Sequence, residues 1–440
     1  MSGLHERPAE LLRDLVRFAT INPPGNEAEC IGYIGRILEE AGIPWHTVAR
    51  NPSRPNLIAR LPGQGSAPPL LLQGHADVVP VEGQNWTHPP FEAVIEDGCI
   101  WGRGTLDMKG GLTMMITALL KARAEGFVPA GDIILAVLSD EEAGGDDGAR
   151  FLADSHPGEF ENVRYAVGEV GGYSTTVEGR RFYPVQVTEK QVCWLRTVLE
   201  GPGGHGSMPM RDGTMAQLGR LLTRLNGHAF PVHITDATRQ MVERLAANLP
   251  EPSASTYASL LDPSRTDQVL LELGDAGKGF HPLLHNTVNA TMVKGGTKIN
   301  VIPSQIEICM DCRLLPGFSP QDAIGEIREV VGEHVEFEVT RFDPVPARQD
   351  MGMFGLLEGI LKDLDSRASA ALPFLVPGGT DARHFSRLGI QTYGFTPMIL
   401  PEGQDLLGLA HAADERISLE ALAFGVEAMY MLLQRYGRED

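Results

Sequence analysis

Three short apolar runs constrain this chain more than any other feature. Leu70-Leu-Leu-Gln, Asp132-Ile-Ile-Leu-Ala-Val-Leu and Tyr165-Ala-Val-Gly are continuous rather than alternating, and each leads into imidazole or carboxylate side chains. A segment this short with no polar face reads as a strand buried on both sides. Asn56–Pro62 is a further strand candidate. Helical spacing appears between them. Ile31, Ile34, Ile37 and Leu38 mark residues 26–42, Gly110–Gly126 forms a second helix, and Leu419–Tyr436 a last one. Strands alternating with helices predict an α/β domain with a mixed, largely parallel sheet and helices on both faces.

The middle of the chain has another rhythm. Strands are expected at Val192–Leu199, Thr287–Val293, Gln305–Leu314 and Val335–Arg341, with helices at Thr214–Leu225 and Pro320–Val331. That order is β-α-β-β-α-β, the split motif of ferredoxin-like α+β domains. Residues 230–285 show no clear pattern and read as an insertion. The expected organisation is a catalytic domain in two parts, 1–190 and 344–440, interrupted by a smaller domain over 191–343.

Composition narrows the function classes. A net charge of −20 and the lack of a basic stripe argue against nucleic acid, which is bound through lysine and arginine. No apolar run approaches the roughly 18 residues of a membrane helix. The N-terminus lacks the apolar core of a signal peptide. Five dispersed cysteines, an odd number, suggest reduced thiols and a cytoplasmic setting. Cys309 and Cys312 form a C-x-x-C, but they lie in an alternating strand where positions three apart face opposite ways. Neither redox nor metal chemistry is expected from them.

Polar residues gather at the ends of the buried strands, where ligands of open α/β sheets collect. His75 and Asp77 are two apart on an extended segment and share a face. They suit either a metal ligand with its orienting carboxylate or a plain hydrogen-bonded pair. Asp107 follows a glycine-punctuated turn and precedes a helix, so a helix cap is equally open. Asp140, Glu141 and Glu142 end a buried strand with no adjacent base. Such acids are costly unless a cation pairs them, although an exposed acidic turn would look the same. Glu169 also ends an apolar strand, and His411 lies in a small-residue loop; taken singly, each reads as structural. Two imidazoles with several carboxylates suit zinc better than magnesium or calcium.

Taken in order, Gly-His-Ala-Asp-Val-Val-Pro, Gly-Arg-Gly-Thr-Leu-Asp-Met-Lys-Gly-Gly, Asp-Glu-Glu-Ala-Gly-Gly, Gly-Gly-His-Gly-Ser-Met-Pro and the late histidine resemble the zinc-dependent aminoacylase and carboxypeptidase family. That family includes acetylornithine deacetylase, succinyl-diaminopimelate desuccinylase, carboxypeptidase S and bacterial glutamate carboxypeptidase. The resemblance runs from about residue 8 to the end. It implies two Zn2+ ions, with Co2+ or Mn2+ as substitutes. Asp107 would bridge them, His75 and Glu169 would complete one, and Glu142 and His411 the other. Asp77 would orient His75. Glu141 would be the general base toward a bridging water. Glu-Val-Gly-Gly at Glu169 departs from the Glu-Gly-Gly of many relatives.

The resemblance also implies that the inner domain is a lid and a homodimer interface. His205 would reach a partner's site and help hold the oxyanion. Asn300 and Arg313 would meet a substrate carboxylate, while Gly378, Gly379 and Thr380 would line the pocket. A turn histidine and an Arg313–Asp311 salt bridge are the plainer readings of the same residues. A cis peptide is expected at Asp107–Met108. The expected function is hydrolysis of an amide bond in a small carboxylate-bearing substrate, by an N-acyl amino acid deacylase or a carboxypeptidase-like enzyme. A dipeptidase, a hydrolase of non-peptide amides or carbamates, and a non-catalytic binding protein that keeps the fold are the alternatives.

Overall fold

The computed structural model describes residues 3–228, 230–332, 335–401, 403–404 and 406–438. The apolar runs become the middle of a large sheet. From edge to edge its strands are Trp45–Val48, Asn56–Leu61, Ile133–Leu138, Leu70–His75, Tyr165–Gly168, Gln391–Gly394, Arg180–Glu189 and Ala368–Val376. Strand 70–75 is parallel to both 133–138 and 165–168, and the last of these is parallel to 391–394. Strands 45–48 and 56–61 join antiparallel at one edge. The sheet is therefore mixed and largely parallel, as expected.

Both faces of the central strands are covered. Leu70, Leu72, Ile133, Leu135 and Val137 enter one core, together with helices Ala28–Glu40, Lys109–Ala124 and Leu419–Arg435. Leu71, Ile134, Ala136 and Leu138 point the other way, onto Ala149, Leu152 and Phe385. This two-sided burial is why the runs carry no polar alternation. Helix 109–124 is buried on nearly every side, and its opening glycines have a steric reason. A Cβ on Gly110 would stand 2.2 Å from the Thr105 carbonyl oxygen.

A second sheet of four antiparallel strands has the order Thr287–Gly295, Gln305–Leu314, Gln191–Glu200, Glu338–Asp343. Numbered along the chain this is 2-3-1-4, the ferredoxin-like arrangement expected from the sequence. Helices Thr214–Asn226 and Pro320–Val331 cover one face through Leu221, Ala323, Ile327 and Val331. The other face presents Val192, Trp194, Asp311, Arg313, Arg341 and Asp343. Cys309 and Cys312 lie in strand 305–314 as free thiols, with Cys312 in the core.

The segment read as unpatterned is helical. It holds Asp236–Ala247, Ser253–Ala258, Thr266–Glu272 and Asp275–Leu284. Met241, Val242, Leu245 and Leu249 form one apolar stripe, packed in the core that also contains Ala370–Val376. The insertion thus covers the large sheet rather than the small one. Its short helices and internal glycines obscure a helical period that longer elements make plain.

Candidate metal centre

Five side chains from five separate segments converge at the carboxyl ends of the central strands. His75 closes strand 70–75, and Glu169 follows strand 165–168. Glu142 sits in the turn after strand 133–138, Asp107 just before helix 109–124, and His411 in a loop with positive φ. His75 Nε2 lies 3.1 Å from Asp107 Oδ1 and 3.3 Å from Glu169 Oε2. His411 Nε2 lies 3.1 Å from Asp107 Oδ2 and 3.3 Å from Glu142 Oε1. Within each triad the ligand atoms all fall within 4.8 Å of one another. Asp107 gives one oxygen to each triad.

The donor set fits a pair of divalent cations. Three carboxylates and two imidazoles crowd together, and none of the five is ion-paired to a lysine or arginine among the described residues. Glu142 Oε1 is buried and accepts no hydrogen bond. Mixed nitrogen and oxygen donors match zinc and its neighbours in the first transition row. The crowded carboxylates favour protons on the imidazoles. The carboxylates of Asp107 and Glu142 beside it push His411 up to about 10. Burial opposes protonation of His75, but Asp107, Asp77 and Glu169 outweigh it and raise its pKa well above the ordinary value. Burial pushes Glu169 up to about 7, despite the imidazole beside it.

Neighbouring residues fix these side chains. His75 Nδ1 is 3.0 Å from the Asp77 carbonyl oxygen and 3.5 Å from Asp77 Oδ1, so its proton points away from the cluster and Nε2 faces in. Asp77 orients His75 through its backbone as much as its carboxylate. That carboxylate accepts from Asn22 Nδ2 at 2.8 Å and from the backbone N–H groups of Glu141 and Glu142 at 3.2 and 3.1 Å. Glu415 performs a similar task for Asp107. Its carboxylate accepts from the backbone N–H groups of Gly104, Leu106 and Asp107 and from Arg103. The Asp107–Met108 peptide is cis, as the resemblance implies.

Glu141 belongs to neither triad. It occupies the same turn as Glu142 and lines the cleft above the cluster. Burial raises its pKa well above the usual carboxylate range, and nearby Glu169 adds to the shift. The cleft, about 490 Å³, is also lined by Val192, Trp194, Arg313, Arg341 and the loop 376–380. Gly378, Gly379 and Thr380 are part of that lining. The Thr380 hydroxyl is already spent, donating to buried Glu189 at 2.6 Å. Arg313 reaches the cleft but is held by both oxygens of Asp311, at 2.8 and 3.1 Å.

His205 and Asn300 are not brought to the cluster within one chain. His205 pairs with Val301 in a two-stranded ladder, and both residues are exposed. Several residues at the site carry no sequence signal. Asn22 reaches Asp77 55 positions away, Glu415 gathers Gly104 from 311 positions away and His384 meets Gly144 across 240, all with ordinary residue types. Asp381 is buried beside the 140–145 turn with neither carboxylate oxygen hydrogen-bonded, and burial pushes its pKa up to about 8.

The comparisons with known proteins agree with this geometry. A model described as Peptidase family M20/M25/M40 matches residues 71–435. A probable carboxypeptidase S-like 2 of Dictyostelium discoideum is 27% identical over 390 residues, covering 84% of this chain and 72% of that protein. Aminoacylase-1 of Sus scrofa is 25% identical over 432 residues, covering 96% and 93%. Among solved structures, an M20 family metallo-carboxypeptidase from Sulfolobus solfataricus superimposes with a TM-score of 0.71 at 18% identity. It covers 98% of this chain and 99% of its own. With the family model spanning most of the sequence and the same stretch building the cluster, the chain belongs to Peptidase family M20/M25/M40 and is a metal-dependent hydrolase of amide bonds.

Proposed function

We propose that this chain is a two-zinc amidohydrolase for small substrates that carry a free carboxylate, such as N-acyl amino acids or short peptides. The observation that carries the reading is the pair of triads sharing Asp107. His75 and Glu169 would hold one ion with it, and Glu142 and His411 the other. When bound, two divalent ions supply Lewis acidity, lowering the pKa of water towards neutrality and offsetting anionic charge as it develops.

The chain's own residues do the rest. Glu141 faces the cleft and stays out of both triads, so it is free to take a proton from water and return it to the leaving amine. Asp77 keeps the Nδ1 proton of His75 in place and, through two backbone bonds, holds the turn that carries Glu141 and Glu142. Arg313 offers its remaining N–H donors to a substrate carboxylate. Gly378 and Gly379 let substrate lie close to backbone, and Val192, Trp194 and Val376 give the cleft an apolar wall.

The same proposal extends to assembly. Residues 191–343 act as a lid and dimerisation domain, with 1–190 and 344–440 as the catalytic domain. His205 and Asn300 stand exposed and away from their own cluster, which suits delivery to the site of a second copy of the chain. The five unbridged cysteines support a cytoplasmic setting. Among the described residues no helix is long and apolar enough to cross a membrane.

The test is a panel of N-acyl amino acids, dipeptides and non-peptide amides, assayed after chelation and after reloading with zinc, cobalt or manganese. Hydrolysis is expected only with metal restored. Turnover that survives complete removal of metal rejects the mechanism.

A further inference from the structure

The face of the small sheet away from its helices forms a grid above the cleft. Val192 stands between Arg313 and Asp343, and Trp194 between Asp311 and Arg341. The two arginines differ in what they reach. Arg313 is closed on Asp311 within its own strand. Arg341 crosses to the large sheet's side of the cleft.

Three contacts fix it there. Its Nε donates to Asp343 Oδ2 at 2.7 Å, and its guanidinium lies over the Trp194 ring, 5.1 Å from the centroid. Its Nη2 donates to the carbonyl oxygen of Gly144 at 3.3 Å, 197 positions earlier in the chain. Gly144 suits this approach in two ways. Its φ is +111, and a Cβ there would lie 3.0 and 3.1 Å from the two terminal guanidinium nitrogens. Any side chain would both strain the turn and lift the arginine off it.

Gly144 is no bystander to the chemistry proposed above. Its N–H donates to the Glu141 carbonyl at 2.8 Å, closing the turn. Its carbonyl also faces His384 Nε2 at 3.3 Å. One residue thus takes a donor from the small sheet and a donor from the large domain on its carbonyl, and closes the turn of Glu141 with its N–H.

We propose that Arg341 is a positioning residue for the base: from the small sheet it pins the Gly144 peptide and thereby aims Glu141 into the cleft. This rests on the assignment of Glu141 as the base. It also gives movement of the small sheet a direct route to the chemistry, since lifting the sheet withdraws one of the two donors from Gly144.

The experiment compares wild type, R341M and R341K, all loaded with zinc, on whichever substrate of the panel the wild type hydrolyses. R341M keeps the length and apolar stem but has no donor. It should lower kcat by about 100-fold, the effect of a misplacement near 1 Å, while KM stays within about twofold and two metals per chain remain. R341K restores one donor and should recover at least about tenfold of that loss. Hydrogen exchange supplies a readout that needs no substrate: the amides of Gly144 and Gly145 should exchange at least about tenfold faster in R341M than in wild type, with R341K between. A raised KM at unchanged kcat would make Arg341 a substrate contact and overturn the proposal. So would loss of metal in R341M, an R341K variant no better than R341M, or unchanged exchange in the turn. If no substrate is hydrolysed by the wild type, the functional reading fails and the exchange result alone decides whether Arg341 holds the turn.

Discussion

Glu141→Gln separates proton transfer from metal binding more cleanly than any other change. The substitution is nearly isosteric, so it opens no cavity. Asp77 holds the turn through the backbone N–H groups of residues 141 and 142, and those bonds survive. Glu141 lies outside both triads, so the ligand atoms are untouched. What disappears is the ability to accept a proton. General-base catalysis is typically worth about 10²–10⁴ in rate, which is about 2.7–5.4 kcal/mol of barrier. Turnover of E141Q should fall by that range or more, with two zinc ions per chain retained on elemental analysis. Glu142→Gln is the matched control one position along. It removes a ligand oxygen from the His411 triad and should lose one of the two metals. If E141Q loses metal while E142Q keeps it, the two glutamates have been assigned to each other's roles. If E141Q keeps wild-type turnover, the base is another group.

Three further outcomes follow from other parts of the fold. Arg54 is buried and pairs Glu27 and Asp140, each at 2.7 Å; Arg54→Met leaves both acids unpaired and should cost about 3–5 kcal/mol in urea denaturation, and a loss below about 1 kcal/mol would show that the acids find other partners. Gly110→Ala sets a methyl against the Thr105 carbonyl beside Asp107; metal affinity, read by competition with a chelator, should drop by about 10–100-fold, and unchanged affinity would mean the turn yields freely. Lys190 is fully buried, and burial lowers its pKa to about 7, below that of the unfolded chain. Between pH 7 and 9.5 the unfolded state binds more protons, so stability rises with pH. The rise should reach about 3 kcal/mol in wild type and be missing in Lys190→Met; equal pH slopes in the two proteins would disprove it.

The parts legible in the sequence share one property: local pattern and tertiary role coincide. Strands 70–75, 133–138 and 165–168 are largely apolar on both faces because they are covered on both faces, and their first imidazole or carboxylate residues mark the end of the sheet. His75, Glu142 and Glu169 are visible for that reason. The order of elements in 191–343 gave the small sheet its topology. The helices of 236–284 carry little local pattern because they are short and interrupted, although Met241, Val242, Leu245 and Leu249 do form a stripe. Glu415 looks ordinary beside His411, since nothing local shows that its carboxylate gathers the N–H groups of Gly104, Leu106 and Asp107. Arg341 reads as one more alternating strand residue until the fold lays it on Gly144. Such residues act through partners hundreds of positions away, and a single sequence carries no mark of that.

The docking of helix 236–247 against strand 368–376 has a mechanical consequence. The chain leaves the large core at Lys190, returns to it for the helical segment, departs again near His285 and comes back after Asp343. Four connections, two of them bonded to each other where Lys190 Nζ donates to the His285 carbonyl, leave the small sheet far fewer ways to swing than a cover hung from one hinge. His205 and Asn300 lie at the opposite end of the strands from the Lys190–His285 crossing, where leverage over any tilt of the sheet is greatest.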